Sequence, residues 1–178
     1  ILIEKDKDLI PTLANKFDSK NVQIINQDIL KCDLSNIIKP NMRIIGNLPY
    51  NISTEIIFRL LPYSKNIKDL HFMLQKEVVD RIVAGPGTKI YGRLSIMTQV
   101  YFTVKKLFDI SPNVFIPKPK VDSAYIRLVP KNYAFDSMFH EKKFKNIVTM
   151  AFTARRKMIK TSLRGIISPQ LLNNLSIN

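Results

Sequence analysis

The stretch MRIIGNLPYNIST, residues 42–54, predicts the structural unit from which this fold is built. Its first residues are apolar and β-branched, as in a short buried strand, and the loop that follows contains Pro49. The next residues, 55–61, are amphipathic, so a helix is expected there with Ser53 or Thr54 as its N-cap. A strand-to-helix connection explains the proline, but it does not explain why Tyr50 stands beside it.

Strand-like and helix-like segments alternate on both sides of this unit. Such alternation is typical of βα units that form a mostly parallel sheet covered on both faces. Two later strands, joined by a proline-rich loop, predict an antiparallel hairpin at one edge of the sheet. Strands are predicted at residues 1–3, 22–25, 42–45, 69–74, 104–110 and 121–129, and helices at 8–17, from 54, 76–84 and 94–102.

The last part of the chain differs in character and predicts a small all-α domain. One apolar stripe recurs there at helical spacing, and a second stripe on another face is basic. Residues 141–164 contain eight Lys or Arg and one acidic residue, so the basic stripe is a candidate phosphate-contacting face. We therefore divide the chain into a catalytic domain, residues 1–132, and a helical domain, residues 133–178. The basic candidates are Arg155, Arg156, Lys157, Lys160 and Arg164.

Composition narrows the class of partner and of site. A formal net charge of +14 favours a polyanion, with nucleic acid first among the candidates. One cysteine and two histidines exclude a disulfide framework and a Cys/His metal cluster, so no metal site is predicted. No apolar run approaches the roughly 20 residues that cross a bilayer, and we expect a protein of the reducing cytoplasm with no membrane partner.

Polar residues follow three consecutive predicted strands. Glu4 follows the first, where a carboxylate can accept hydrogen bonds from both hydroxyls of a ribose, and Asp28 follows the second, where it can accept from an adenine amine. Each carboxylate alone is equally well explained as a helix cap. Together they suggest a cofactor that contains adenosine, with Asn47 at its reactive end.

The Asn47–Tyr50 loop suits methyl transfer to a nucleobase amine. Such an amine is a poor nucleophile, and two acceptors aimed at its hydrogens draw it toward tetrahedral geometry. The Asn47 side-chain oxygen and the Leu48 backbone carbonyl are the candidates, and Pro49 restricts the conformation of Leu48. Tyr50 offers a face for an extruded base, a contact worth about 1–3 kcal/mol, and Phe115 is the candidate for the opposite face.

With these residues assembled, the sequence resembles the ribosomal RNA adenine dimethyltransferases, most closely the KsgA type that acts on small-subunit rRNA. The resemblance implies a Rossmann-like, S-adenosylmethionine-dependent methyltransferase sheet followed by the helical domain. The family's opening strand and glycine-rich loop have no counterpart here, so we expect an incomplete cofactor site. The motifs are IEKDKDL (3–9), QDIL (27–30), GNLPYNIST (46–54), HFMLQKEVVDRIVAGPGTKIYGRLS (71–95), FIPKPKVDSA (115–124) and AFTARRKMIKTSLRG (151–165).

The resemblance also implies the reaction and its participants. The donor would be S-adenosylmethionine, and two methyl groups would be placed on the amine of each of two adjacent adenosines near the rRNA 3′ end, during small-subunit maturation. Glu4, Asp28 and Asn47 would bind the cofactor, and the protein would act as a monomer on the small subunit. Two alternatives stay open: a large-subunit adenine dimethyltransferase that confers antibiotic resistance, and an assembly factor without catalytic activity.

Overall fold

The computed structural model describes residues 1–17, 20–131, 135, 138–154 and 157–175. Helices and strands alternate along most of this length. The strands are β1 (Leu2–Glu4), β2 (Ile24–Asn26), β3 (Met42–Asn47), β4 (Ile67–Gln75), β5 (Phe102–Ile110) and β6 (Ser123–Pro130). The α-helices are α1 (Ile10–Lys16), α2 (Leu34–Ile37), α3 (Ser53–Leu60), α4 (Lys76–Val83), α5 (Arg93–Tyr101), α6 (Met138–Thr153), α7 (Ile159–Ser162) and α8 (Pro169–Asn174). Short 3₁₀ helices occupy Lys7–Leu9, Leu61–Asn66 and Pro112–Val114.

The strands form two sheets rather than the single sheet predicted. β1 and β2 pair in parallel, and the other sheet has the order β3-β4-β6-β5. β3 and β4 are parallel, whereas β6 runs antiparallel to both β4 and β5, which confirms the predicted edge hairpin. Within the described ranges, β1 does not pair with β3, and no other strand lies between them and pairs with both. A cavity separates the two strands. The residues of β1 and of β3 line this cavity from its two sides.

The core lies on one face of the four-stranded sheet, under α3, α4 and α5. Alternate residues of β4 and β6 supply it, because side chains of a strand point to opposite faces in turn. Leu70, Phe72, Leu74, Ile126 and Leu128 are all at most 1% exposed. On the other face, Ile45 of the edge strand β3 is 67% exposed and Phe108 of the edge strand β5 is 54% exposed, whereas His71, Met73 and Tyr125 of the inner strands are half-buried.

A buried carboxylate joins three strands at the end of the sheet where β3 begins. Arg43 donates to Asp69 through Nε at 2.6 Å and Nη2 at 2.8 Å, and Arg127 adds a contact at 3.3 Å. Asp69 is 1% exposed, and the Arg43 guanidinium holds the pKa of this carboxyl well below its ordinary value. The ion pairs fix the alignment of β3, β4 and β6.

The predicted helical segment forms, but it is broken and packs on the same core. Val148 of α6 is 5% exposed and belongs to the core cluster, with Phe144 and Phe152 packed against it. The basic stripe does not run along one helix, since α6 ends at Thr153 and α7 begins at Ile159. Ser168 caps α8, and its hydroxyl accepts from the Leu171 N–H at 3.2 Å. The predicted domain boundary at residues 132 and 133 lies outside the described residues and stays a prediction.

None of the helices in the described part of the chain combines the length and the apolar character needed to cross a membrane.

Candidate cofactor and catalytic site

A cavity of about 450 Å³ lies between β1 and β3; it is lined along the whole length of both strands and by Gln27–Ile29, the residues that follow β2. Its size is typical of small-molecule sites, which measure roughly 300–1,000 Å³. The lining is mainly apolar, with a few polar groups at the strand ends. Five residues predicted from the sequence lie on its wall: Glu4, Asp28, Asn47, Leu48 and Pro49. Residues at or just after the carboxyl ends of β1, β2 and β3 therefore lie on the wall of one cavity.

Glu4 is the last residue of β1 and is held by the turn that follows. The Asp6 N–H donates to Glu4 Oε1 at 2.7 Å, which orients the carboxylate. The Glu4 carbonyl accepts from the Gln27 N–H at 3.0 Å and from the Asn26 side-chain amide at 2.9 Å. These bonds join the ends of β1 and β2, so the two carboxylate positions of the site are held together.

Asp28 both caps a turn and lines the cavity. Its Oδ1 accepts from the Leu30 N–H at 2.9 Å, and its Oδ2 lies 3.0 Å from the Lys5 ammonium. The Leu30 N–H, together with Lys5, lowers the pKa of the Asp28 carboxyl. The group is therefore an ionised acceptor at neutral pH, suited to receive a hydrogen bond from an amine.

Arg59, on the wall of the cavity, connects the Asp28 turn to α3, and sequence reasoning gave it no role. Its Nη2 donates to the Cys32 carbonyl at 2.7 Å, and its Nη1 donates to the Leu30 carbonyl. Both carbonyls belong to the turn in which the Asp28 carbonyl accepts from the Lys31 and Cys32 N–H groups. The guanidinium thus fixes the cofactor-side turn against the helix that follows the Asn47–Tyr50 loop.

Asn47 and Leu48 leave the sheet in a fixed direction. Asn47 is the last residue of β3, not a loop residue, and the Leu48 N–H still donates to the Met73 carbonyl of β4 at 3.1 Å. Asn47 is exposed, and no described residue hydrogen-bonds to its side-chain amide. A Cβ at Gly46 would lie 2.8 Å from Leu48 Cδ2, so the glycine allows the buried Leu48 side chain to fold back.

The backbone carbonyls of residues 48–50 differ in whether they accept a hydrogen bond within the protein. The Pro49 carbonyl accepts from the Ile52 N–H at 3.2 Å, and the Tyr50 carbonyl accepts from the Ser53 hydroxyl at 3.2 Å. Within the described ranges no donor reaches the carbonyl of Leu48. The prediction of Ser53 or Thr54 as N-cap is wrong, because α3 begins at Ser53 with Ile52 in the cap position and the Ser53 hydroxyl turns back to Tyr50.

Neither Tyr50 nor Phe115 is on the wall of the cavity, although Pro49, which precedes Tyr50, is. Tyr50 is half-buried, and its hydroxyl lies 2.7 Å from the Ser123 hydroxyl at the start of β6. Phe115, also half-buried, belongs to the loop that joins β5 to β6, and the ring contacts of the described residues do not include a Tyr50–Phe115 pair. Tyr50 follows β3 and Phe115 follows β5, the two edge strands of the four-stranded sheet, and the loop that carries Phe115 ends at Ser123.

The predicted basic face is described only in part. Lys157, Lys160 and Arg164 are exposed, whereas Arg155 and Arg156 lie outside the described residues. Lys145, a member of the same predicted stripe, pairs with Glu141 at 2.5 Å and lies 5.9 Å from the centre of the Tyr101 ring. Lys145 therefore packs α6 against α5 and is not presented as a free cation.

Comparisons with known proteins agree with this architecture. The model of the family described as ribosomal RNA adenine dimethylase matches residues 1–178. A curated relative, ribosomal RNA small subunit methyltransferase A of Acidithiobacillus ferrooxidans, is 42% identical over 179 residues, with 99% of this chain and 67% of that protein covered. The chain therefore spans about two thirds of the length of this relative.

Solved structures give the same result at the level of the fold. A dimethyladenosine transferase from Plasmodium falciparum has a TM-score of 0.76 at 27% identity, covering 98% of this chain and 61% of that chain. The 23S rRNA methyltransferase ErmE has a TM-score of 0.71 at 23% identity, covering 99% and 72%, which shows a shared fold alone. The Rossmann-like α/β class predicted from the sequence is thereby confirmed.

Proposed function

This chain belongs to the ribosomal RNA adenine dimethylase family, and on that premise we propose that it dimethylates small-subunit rRNA. The acceptors are the exocyclic amines of two adjacent adenosines near the 3′ end of the rRNA, and the reaction accompanies maturation of the subunit. The observation that carries the proposal is the exposed Asn47 beside the unused Leu48 carbonyl, at the mouth of a cavity that also contains two strand-end carboxylates.

The residues that line the cavity fit S-adenosylmethionine as the methyl donor. We assign Glu4 to the ribose hydroxyls and Asp28 to the adenine amine; the position of both carboxylates on the cavity wall and the lowered pKa of Asp28 support this assignment. The apolar wall, which includes Ile29 and Leu48, suits the faces of an adenine ring. When bound, this cofactor would supply a methyl group on a positively charged sulfonium, which is a good leaving group because it departs as a neutral thioether.

The protein's own contribution is to orient the adenosine amine that receives the methyl group. We assign the Asn47 side-chain oxygen and the Leu48 carbonyl to the two hydrogens of the target amine, which favours tetrahedral geometry and directs the lone pair at the donor. Asn47 is neutral, so it cannot form an unproductive ion pair with a sulfonium. Tyr50 and Phe115 hold the extruded adenine between their rings.

The basic residues near the C-terminus supply the sequence-independent part of RNA binding. Lys157, Lys160 and Arg164 are exposed, and Arg155 and Arg156 are adjacent in sequence. We propose that these residues contact phosphates of the small subunit, and that the protein acts in the cytoplasm as a monomer. Binding to small subunits is then expected to weaken steeply between about 50 and 200 mM salt, because counterions are released on binding. A filter-binding titration with a flat salt profile would contradict this assignment.

The assay that tests the proposed function measures transfer of labelled methyl groups from S-adenosylmethionine to unmodified small ribosomal subunits. It is run with this chain and with a form extended at its N-terminus by the glycine-rich loop expected for the family. Subunits that are already dimethylated, and isolated large subunits, serve as matched substrate controls. We expect four methyl groups per unmodified small subunit from the active form, the number that two dimethylated adenosines require, and none on either control.

Two other outcomes would replace the proposal. Transfer to large subunits alone would indicate the antibiotic-resistance type of enzyme. Tight binding to small subunits without any transfer by either form would indicate an assembly factor. The name of the curated relative refers to the small subunit, which favours small-subunit rRNA as the substrate.

A further inference from the structure

The Tyr50 side chain is tied to a distant part of the chain by one hydrogen bond. Its Oη lies 2.7 Å from Oγ of Ser123, which is 73 residues away in the sequence, and either hydroxyl can be the donor. Ser123 is 0% exposed, whereas Tyr50 is half-buried. The serine end of the bond is therefore shielded from bulk water, so competition by solvent is weak.

Ser123 is held rigidly by its neighbours. It is the first residue of β6, the inner strand that pairs with Gln75 of β4 on one side and with Ile110 of β5 on the other. Next to it, the Asp122 carbonyl accepts from the Lys76 N–H at 2.9 Å. The sheet therefore fixes the Ser123 hydroxyl in space, independently of the loop that carries Tyr50.

The backbone of Tyr50 is fixed from the other direction. Its carbonyl accepts from the Ser53 hydroxyl, and the preceding Pro49 carbonyl accepts from the Ile52 N–H, so the loop is closed onto the start of α3. A rotation about the Cα–Cβ bond of Tyr50 would move its Oη by several ångströms and break the bond to Ser123. With both ends held, the ring is restricted to one orientation.

We propose that Ser123 is a positioning residue for base capture: its buried hydroxyl sets the orientation in which the Tyr50 ring receives the extruded adenine. The inference rests on the proposed function and deepens it. A ring that is already oriented before RNA binds loses less conformational entropy when the base stacks on it. Ser123 is also the residue at which the loop that carries Phe115 joins β6.

The contact is tested first without any reaction, by NMR of protein with ring-labelled tyrosine. The Tyr50 signals are assigned from the peaks lost in Tyr50→Phe. In Ser123→Ala these signals are expected to shift and sharpen as the ring gains freedom. Ser64→Ala removes a hydroxyl that is also buried, at 3% exposure, near the start of β4, and it is expected to leave the Tyr50 signals in place. Unchanged Tyr50 signals in Ser123→Ala would overturn the inference by themselves.

The catalytic consequence is tested by steady-state transfer to unmodified small subunits, using the form that is active in the assay above. Ser123→Ala is expected to lower kcat/KM for subunits about threefold to tenfold, the range for loss of one hydrogen bond, with the Kd for S-adenosylmethionine unchanged. Tyr50→Phe removes the same bond from the exposed side and is expected to cause an equal loss. The double variant is expected to lose no more than either single variant.

These outcomes separate the inference from the proposed function. Additive losses in the double variant, or an equal loss of cofactor affinity in Ser123→Ala, would show that the serine acts through general stability and would overturn the inference. If the unsubstituted protein transfers no methyl group to any subunit, the proposed function fails, and the positioning role falls with it. If Ser123→Ala does not fold, Tyr50→Phe decides the same question, because normal kcat/KM in that variant would overturn the role of the bond.

Discussion

Replacing Asn47 by alanine tests its proposed hydrogen bond to the target amine without disturbing the fold. Asn47 is exposed at the end of β3, and no described residue hydrogen-bonds to its side chain, so its loss leaves no buried group unpaired. The free energy of unfolding is therefore expected to change by less than about 0.5 kcal/mol, as for other surface substitutions. Removing one preorganised electrostatic contact to the reacting group typically lowers kcat about 100-fold to 1,000-fold.

The matched control is Asn51→Ala, which removes the same side chain from an exposed position in the loop that follows β3, four residues after Asn47. We expect Asn47→Ala to lose at least about 100-fold in kcat for small-subunit methylation, and Asn51→Ala to keep near-normal turnover. Both variants are expected to co-sediment with small subunits like the unsubstituted protein and to unfold at the same urea midpoint. Normal turnover by Asn47→Ala, or an equal loss in Asn51→Ala, would refute the assignment of Asn47 as a hydrogen-bond acceptor for the target amine.

Three further perturbations test the supporting structure. Asp69→Asn is expected to lower the free energy of unfolding at pH 7 by about 2–3 kcal/mol in urea titrations, below the roughly 3–5 for a fully buried pair, because the partner guanidiniums are half-exposed. The pKa of Asp69 is lowered in the folded state, so the stabilisation by its ion pairs is fully present above the unfolded-state pKa of about 3.9 and is lost as the pH falls below that value. Between about pH 5 and 3 the unsubstituted protein is therefore expected to lose more stability than Asp69→Asn. Arg59→Met is expected to raise the Kd for S-adenosylmethionine about tenfold by releasing the Asp28 turn, measured by calorimetry, and unchanged affinity would contradict that role. Gly46→Ala is expected to lower kcat more than subunit affinity, because the added methyl group must displace Leu48, whose carbonyl we assign to the amine; unchanged kcat would show that the Leu48 side chain moves without its backbone.

Most elements of the fold were predictable because their signals are local. The predicted helix at 76–84 corresponds to α4 at Lys76–Val83, and the helix at 94–102 corresponds to α5 at Arg93–Tyr101. The short α2 was not predicted, since four residues carry too little periodicity to recognise. The N-cap of α3 was predicted wrongly because Ser53 has a second acceptor, the Tyr50 carbonyl, that sequence spacing does not reveal.

The wall of the cavity was predicted well for a physical reason. Residues that follow parallel strands meet at one edge of a sheet whatever the details of packing, so Glu4, Asp28 and Asn47 were expected together and line one cavity. Their roles toward cofactor and RNA, and those of Tyr50 and Phe115, remain predictions that the proposed experiments address.

The sequence by itself determined the βα alternation, the strand-end polar residues and the basic character of the chain, because each depends on residues close together along the chain or on composition. Only the tertiary structure decided the contacts between distant segments. The Arg59 bonds to the Leu30 and Cys32 carbonyls, and the Tyr50–Ser123 bond, join residues 27 or more positions apart. No local pattern encodes such pairs, since they form only when separate strands and helices pack in one register.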